Sequence, residues 1–541
     1  MPHVSDFNMH LYKITNNIRN IFHNQNSKHT KGTIIFWVPG GMQLLLHVEG
    51  AIAQALRWRG YKVHAIICDG PFRACAIRQS NDNIPISDWA ERCSSCRKLT
   101  STILRNMNIP YSFIGDYIDS KTHVLLWKEV KNLDWNQLKN YRYKGVNIGK
   151  NIQSSIIKYL KGKSLTDYPG ITKEYVYSGL ISAASAEKVL CKFRPDRIFM
   201  SHGIYVDWGP ALNLALSQNI PVTGWVSSYL PARFYFRNVT SISNIDFHGL
   251  NNHKSIHYLK KELTKKQSQM LKKYINKRYK QNYSFDMKEF KKYSYNVQQF
   301  KLKYHIDKKK PVWGIMAHVN WDAVSEYSPM IYDTFENWIL DTIKEIISIK
   351  DVEWIIKAHP AEVLEKSTEN LQKLIKKHFS SLPPHIHILP ATEDINPLNF
   401  IQLIDGGITA YGTLGLEVAL MGKPVILTGV AHYAKKGFTY DCKSIENYKK
   451  LLNRVKLLKP LTKKKQNLAR RYAYNYFIQR QIPFPVVKDP NDIWWHYQAD
   501  KKDLLKPNRD PFVGFICDRI IDGKDFIMDE KLVELALKRK L

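Results

Sequence analysis

Apolar and polar positions first organise into a strand, turn, helix and strand from Gly32 onward. Thr33-Ile-Ile-Phe-Trp-Val38 is a short apolar run that stops at Pro39-Gly40-Gly41, a helical rhythm follows from about His47 to Arg59, and Val63-His-Ala-Ile-Ile-Cys68 is a second strand-like run. A right-handed crossover makes such strands parallel and sets the intervening loop at the carboxyl edge of a sheet, where open α/β folds bind ligands. The same pattern returns at Arg197-Ile-Phe-Met-Ser201, with a helix expected around Pro210 to Gln218 and a strand at Pro221 to Trp225.

A second series begins at Pro311-Val-Trp-Gly-Ile-Met316. It continues through a helix over Tyr332 to Lys350, a strand at Val352 to Ala358, a helix over Leu364 to Phe379 and a strand at His385 to Leu389. Gly407 to Ala410, a helix over Gly415 to Met421 and a strand at Pro424 to Leu427 complete it. The pattern predicts an α/β protein of two Rossmann-like, doubly wound domains facing across a cleft, with a helical bridge and C-terminal helices. Its divisions are a polar N-terminal extension over 1–31, a first α/β domain over 32–250 and a basic helical bridge over 251–310. A second α/β domain over 311–445 and a basic helical region over 446–541 follow.

Composition narrows the classes. The 541 residues exceed one ordinary core, and 44% hydrophobic against 24% charged residues is too apolar for a disordered chain. No run reaches the ~20 apolar residues that span a bilayer, and the start lacks the apolar core of a secretory signal, so a cytoplasmic address is expected. Lys and Arg number 81 against 48 Asp and Glu, a formal charge of +33 that favours anionic partners. An anionic inner-membrane surface, to which the protein would be peripheral, is one; nucleic acid along the Lys- and Tyr-rich bridge is another, but no compact recognition motif accompanies that charge.

Candidate chemistry collects in the second series. In Thr409-Ala-Tyr-Gly-Thr-Leu-Gly-Leu-Glu417 a strand ends in small residues and a helix begins, which suits a phosphate. Thr413 adds a hydroxyl donor, Gly412 and Gly415 admit close backbone approach, and Glu417 is a candidate acceptor for a ribose diol. The preceding loop brings Lys357, His359 and Glu362, and His318-Val-Asn-Trp-Asp322 supplies Asn320 and Asp322 at the same rim. The loop Thr428 to Gly437 carries His432, Tyr433, Lys435 and Lys436 and is placed to close over a sugar. In the first domain, Cys68, Cys75, Cys93 and Cys96, four of the seven cysteines, have a spacing that suits one structural zinc or four reduced thiols.

The motifs His318-Val-Asn-Trp-Asp322, Lys357-Ala-His-Pro-Ala-Glu362 and Tyr411-Gly-Thr-Leu-Gly-Leu-Glu-Val-Ala-Leu-Met-Gly-Lys-Pro-Val425 resemble bacterial capsule and surface-polysaccharide glycosyltransferases of the GT-B fold. The likeness runs over roughly 310 to 442. It implies that the His-Pro motif and the Gly-rich helix start, with Tyr411, Tyr433 and Lys436 nearby, bind a nucleotide-sugar donor. Capsular Kdo transferases with a His-Pro motif point to CMP-Kdo or a related acid sugar as donor and to a polysaccharide or glycolipid acceptor. Lys357 stands where an Arg is commoner in the group. Transfer in this group is implied to be inverting and to require no cofactor, with a first-domain base drawn from Glu49, Asp69, His202 and Asp207; Glu49 is preferred for its place after the first Gly-containing loop. A nucleotide-sugar epimerase, a polyol-phosphate transferase on the same fold and a nucleic-acid-binding protein are the alternatives.

Overall fold

The computed structural model describes residues 31–79, 86–242, 259–279, 296–326, 329–364, 366–393, 395–488 and 496–539. The expected extension thus lies outside the described residues except for its last position, and the bridge is described over 259–279 and 296–310. Two compact units result, one holding the chain up to Tyr159, from Ser164 to Phe247 and from Arg480 onward, the other Leu160–Lys163 and His248–Gln479.

The first unit contains strands β1 (Thr33–Val38), β2 (Lys62–Ile67), β3 (Tyr111–Phe113), β4 (Arg197–Ser201), β5 (Val222–Ser227) and β6 (Arg233–Val239). With a short strand at Ile482–Pro483 they form a sheet in the order Ile482–Pro483, β6, β5, β4, β1, β2, β3. Pairings from β3 through β5 are parallel, whereas β6 runs antiparallel to β5 and to Ile482–Pro483. Crossover helices include α1 (Gln43–Arg57), α2 (Arg92–Asn106), α3 (Pro169–Phe193) and α4 (Tyr205–Ser217). Helix α4 starts at Tyr205, ahead of the expected start at Pro210, and carries that proline inside it. In α3 small residues allow close packing: a Cβ on Gly179 would lie 2.4 Å from the Ile152 side chain.

The second unit is built on β7 (Val312–Met316), β8 (Glu353–Lys357), β9 (Ile386–Leu389), β10 (Gly406–Thr409), β11 (Val425–Leu427) and β12 (Tyr440–Asp441). Their order is β9, β8, β7, β10, β11, β12, and every pairing is parallel. Such a sheet is covered on both faces, which explains why β7 and β8 are buried at every position. Helix α5 (Lys265–Arg278) is capped by Thr264, whose Oγ1 accepts the Gln267 amide while Gln267 Oε1 accepts the Thr264 amide. Helix α6 (Phe335–Ile346) turns Trp338, Ile339, Ile343 and Ile346 into a core with Trp313 and Trp354. Each such side chain contributes ~1.5–3 kcal/mol on burial. Helix α7 (Thr413–Leu420) follows β10, and residues 446–479 belong to this unit while 480–539 belong to the first. Each unit is therefore a doubly wound α/β sheet, as the strand and helix pattern predicts. Among the described residues no helix is long and apolar enough to cross a membrane.

Candidate functional site

In the second unit the chain moves outward from β7 through β8 to β9, then returns to place β10 on the other side of β7. This reversal is the switch point of a doubly wound sheet, the place where such folds bind ligands. His318 follows β7 and Thr409 ends β10. His318 Nε2 accepts the Tyr411 amide at 3.1 Å and lies 3.1 Å from Thr409 Oγ1, while Gly412 N–H donates to Thr409 Oγ1 at 3.3 Å. An imidazole that accepts at Nε2 carries its proton on Nδ1 when neutral. Burial, reinforced by His359, pushes the His318 pKa down to about 3, and the ring stacks on Phe335 at 5.0 Å.

His359 follows β8, and its Nδ1 accepts the Ala361 amide at 3.1 Å. Burial and then the neighbouring Lys357 ammonium, opposed by Asp322, bring its pKa down to about 4. Lys357 is 7% exposed, and burial pulls its pKa down to about 8 against the pull of Glu393. The sheet edge thus holds two neutral imidazoles, a cation that titrates close to neutrality and a glycine turn entering α7. Gly412 is the N-cap of α7 and no side chain caps that end. Such a set of donors and dipoles suits an anionic oxygen.

Because the unfolded chain protonates His318 at its ordinary 6.5 and the folded chain only at about 3, the unfolded state binds more protons between those values. Stability is therefore lost as pH falls through that window. His318→Gln keeps an acceptor and removes the titration, so denaturant unfolding from pH 6.5 to 3 should show a shallower loss than in the unsubstituted protein. Identical slopes would contradict the buried neutral ring.

Other expected donor residues have different work. Asn320 donates to Glu336 Oε1 at 2.8 Å, and Glu362 Oε1 accepts the Leu371 amide at 3.1 Å while burial raises its pKa to about 7. The Tyr411 ring meets His318 edge-on at 5.8 Å, Thr413 opens α7, and Lys436 is half-buried. Glu417 departs from its expected ribose role: it is 2% exposed, Arg278 Nε donates to its Oε1 at 2.9 Å and the Tyr279 hydroxyl to its Oε2 at 2.5 Å. Both carboxylate oxygens are held within the unit because Glu417, the fifth residue of α7, lies beyond its first turn. The lid reading of Tyr433 also fails: its ring is fully buried and its hydroxyl donates to the Gly412 carbonyl at 2.7 Å. Gly415 is small to admit that hydroxyl, since a Cβ there would lie 2.1 Å from Tyr433 Oη. His432 is likewise interior, with Nδ1 2.8 Å from the Tyr472 hydroxyl.

In the first unit each of the four expected bases has partners of its own. Glu49, on α1, is 2% exposed, and Trp225 Nε1 donates to its Oε1 at 3.2 Å. Burial outweighs that bond and lifts its pKa to about 8, so it is largely a protonated core acid at neutral pH. Asp69 accepts the Gly115 amide at 2.9 Å, and His202 Nδ1 accepts the Ile204 amide at 3.2 Å with its ring 4.6 Å from Trp208. Asp207 sits in the first turn of α4, where Oδ2 accepts the Ala76 amide at 3.2 Å and burial raises the pKa to about 7.

All four clustered cysteines line the same cavity as Asp207. Their sulfurs are separately engaged: Cys68 by the Gly70 amide at 3.2 Å, Cys75 by the Arg78 amide at 3.4 Å, Cys93 by Arg78 Nε at 2.9 Å and Cys96 by the Gly41 amide at 3.3 Å. Among the described residues no group of three or more His, Cys, Asp or Glu has metal-holding geometry. Burial raises the thiol pKa of Cys68, Cys75 and Cys96. Of the two alternatives, the separate hydrogen bonds fit four reduced thiols. Sequence reading missed Arg78, Trp208 and Arg278, and left His318 out of the donor set although the residue stands in the quoted motif.

A family model described as capsule polysaccharide biosynthesis protein matches residues 233–472. A capsule polysaccharide modification protein, LipA, of Neisseria meningitidis serogroup A is 31% identical over 86 residues, which cover 16% of this chain and 11% of the relative. This chain therefore matches about a tenth of that curated relative's length, and a serogroup B LipA gives the same identity and coverage. Among solved structures, the Thermosulfurimonas dismutans KpsC beta Kdo 2,7 transferase is 13% identical, covering 60% of this chain and 89% of its own, with a TM-score of 0.32. The KpsC beta Kdo 2,4 transferase of the same organism is 13% identical, covering 51% and 78%, with a TM-score of 0.30. Residues 233–472 thus carry the sequence pattern of the capsule polysaccharide biosynthesis proteins, in keeping with the resemblance of residues 310 to 442.

Proposed function

We propose that the protein is a glycosyltransferase that moves a sugar from a nucleotide-sugar donor to a surface-polysaccharide or glycolipid acceptor, with CMP-Kdo or a related acid sugar as donor. The observation that carries this reading is the meeting of His318, His359, Lys357 and the Gly412 turn at the switch point of a parallel sheet. The donor phosphate is taken by the Lys357 ammonium, the N–H that a neutral His359 carries on Nε2 and the first amides of α7. As the glycosidic bond to phosphate breaks, these fixed donors stabilise the charge that develops on the leaving oxygen. His318 holds the Tyr411 amide and so fixes the turn. The +33 charge supports an anionic donor and an acceptor presented at an anionic inner-membrane surface.

The test is nucleotide release from CMP-, UDP- and GDP-linked sugars with and without an oligosaccharide acceptor. Release that depends on acceptor is expected with one donor; conversion of the sugar with no acceptor would favour an epimerase and reject the transferase. His359→Ala is expected to lower kcat/KM at least about tenfold, since a hydrogen bond to a charged group contributes ~1.5–3 kcal/mol. Donor affinity should also fall as pH rises through about 8, where Lys357 loses its charge. Lys357→Met should abolish that dependence.

A further inference from the structure

The four clustered cysteines of the first unit gather near one guanidinium, and their surroundings differ. Arg78 is 8% exposed; its Nη1 donates to the Arg73 carbonyl at 3.0 Å, its Nη2 to the Gly70 carbonyl at 2.9 Å and its Nε to Cys93 Sγ at 2.9 Å. Of these three acceptors the sulfur is the one that can take up a negative charge, and a buried cation favours an anion beside it. Cys93 is also the second residue of α2, at the positive end of that helix. Cys68, Cys75 and Cys96 instead accept backbone amides, and burial pushes all three thiols up, Cys68 to about 12. Reactive cysteines sit beside cations and within reach of solvent, and Cys93 is partly exposed.

Cys96 follows one turn later in α2 and lines the same cavity. Side chains three apart on a helix hold their Cβ atoms ~5–6 Å from each other, and a disulfide needs ~3.5–4.5 Å. The closure falls in the first turn, whose N–H groups have no intrahelical acceptor, so little of the helix ladder has to give. Cys96 Sγ also accepts the Gly41 amide at 3.3 Å, and a Cβ on Gly41 would lie 2.6 Å from it, so the loop after β1 rests on this sulfur.

We infer that Cys93 is a site of reversible modification by low-molecular-weight disulfides such as oxidised glutathione, and that Cys96 resolves the adduct into a disulfide within α2, leaving the Gly41 loop. The Cys93 sulfur attacks one sulfur of the incoming disulfide, whose S–S bond breaks, and the departing half takes up the proton that Cys93 gave up. Cys96 then attacks the Cys93 sulfur of the mixed disulfide, and its proton passes to the second departing half. Two cysteines are oxidised to one disulfide, and the small disulfide is reduced to two thiols. The chemistry is independent of sugar transfer.

The experiment labels the reduced full chain with limiting iodoacetamide at neutral pH and maps tryptic peptides by mass spectrometry. Cys93 and Cys96 share the peptide 93–97, whereas Cys68, Cys75 and Cys191 fall in others. Cys93 is expected to react at least about tenfold faster than the exposed Cys191, which exposure alone would put first. Arg78→Met should slow Cys93 about tenfold, the loss of a hydrogen bond from a charged donor, and Arg78→Lys should slow it less. With oxidised glutathione the peptide 93–97 should lose two hydrogens and regain them with dithiothreitol. Cys96→Ser should stop at a glutathionyl group on Cys93, and Cys93→Ser should leave 93–97 unmodified. In the oxidised chain the Gly41 amide should exchange its hydrogen about fivefold faster, as one neutral hydrogen bond is lost. Labelling that starts at Cys191, a disulfide that joins 93–97 to another peptide, or an unchanged Gly41 exchange overturns the inference. Zinc held at one per chain, with the thiols unreactive until it is chelated, overturns it as well. Should Arg78→Met not fold, the labelling order in the unsubstituted chain decides alone.

Discussion

Glu417→Ala is expected to destabilise the second unit by about 3–5 kcal/mol in denaturant unfolding, the usual cost of stripping one partner from a buried ion pair. Arg278 is 1% exposed and its Nε is 2.9 Å from Glu417 Oε1, so removal of the carboxylate strips a buried guanidinium of this counter-charge. The Tyr279 hydroxyl would lose its acceptor as well. Glu417→Gln retains an oxygen and should cost less. Replacing both members, Arg278→Met with Glu417→Leu, should recover much of the loss, because neither charge then has to be desolvated. A Glu417→Ala change of less than about 1 kcal/mol would mean that water reaches the pair, contrary to the burial seen.

The second large effect is expected at Gly415→Ala, where a small addition meets a fixed neighbour. The new Cβ would lie 2.1 Å from Tyr433 Oη and 3.0 Å from Thr409 Cγ2. Either the tyrosine gives up the Gly412 carbonyl or α7 moves away from β10, and overpacking of this kind costs ~1–3 kcal/mol. Tyr433→Phe removes the nearest atom, so the Gly415→Ala cost should be smaller in that background. A double-mutant cycle by chemical denaturation reads the coupling. Additive effects would show that Tyr433 does not set the space at Gly415. Donor binding, measured by thermal shift with the active nucleotide sugar, should weaken in Gly415→Ala alone more than in the double variant.

Both expectations concern α7, and the comparison of sequence with structure is clearest there. The strand, glycine turn and helix were legible because apolar runs, small residues and Gly-Thr-Leu-Gly punctuate the chain within a few positions. The purpose of Glu417 was not, since its partner stands in α5, within the Lys- and Tyr-rich bridge. No local period marks a pair of side chains that meet only when distant segments fold. Tyr433 was misread for a related reason: two lysines beside it made the loop look exposed, while the ring turns inward. The first sheet shows the same division. Its parallel strands announced themselves as apolar runs, but α3 is buried over much of its length and has no polar face to reveal its period. At Pro210 a turn-like residue masked a helix that starts at Tyr205 and carries Asp207 into its first turn.

The strand at Ile482–Pro483 has a consequence for synthesis. It pairs with β6, a partner about 250 positions earlier, so the first sheet lacks its outer ribbon until Pro483 has left the ribosome. The second unit, whose chain is complete by Gln479, is free to fold before the first is finished. A nascent chain halted at that point would present the unpaired rim of β6 to any passing strand, a template for aggregation.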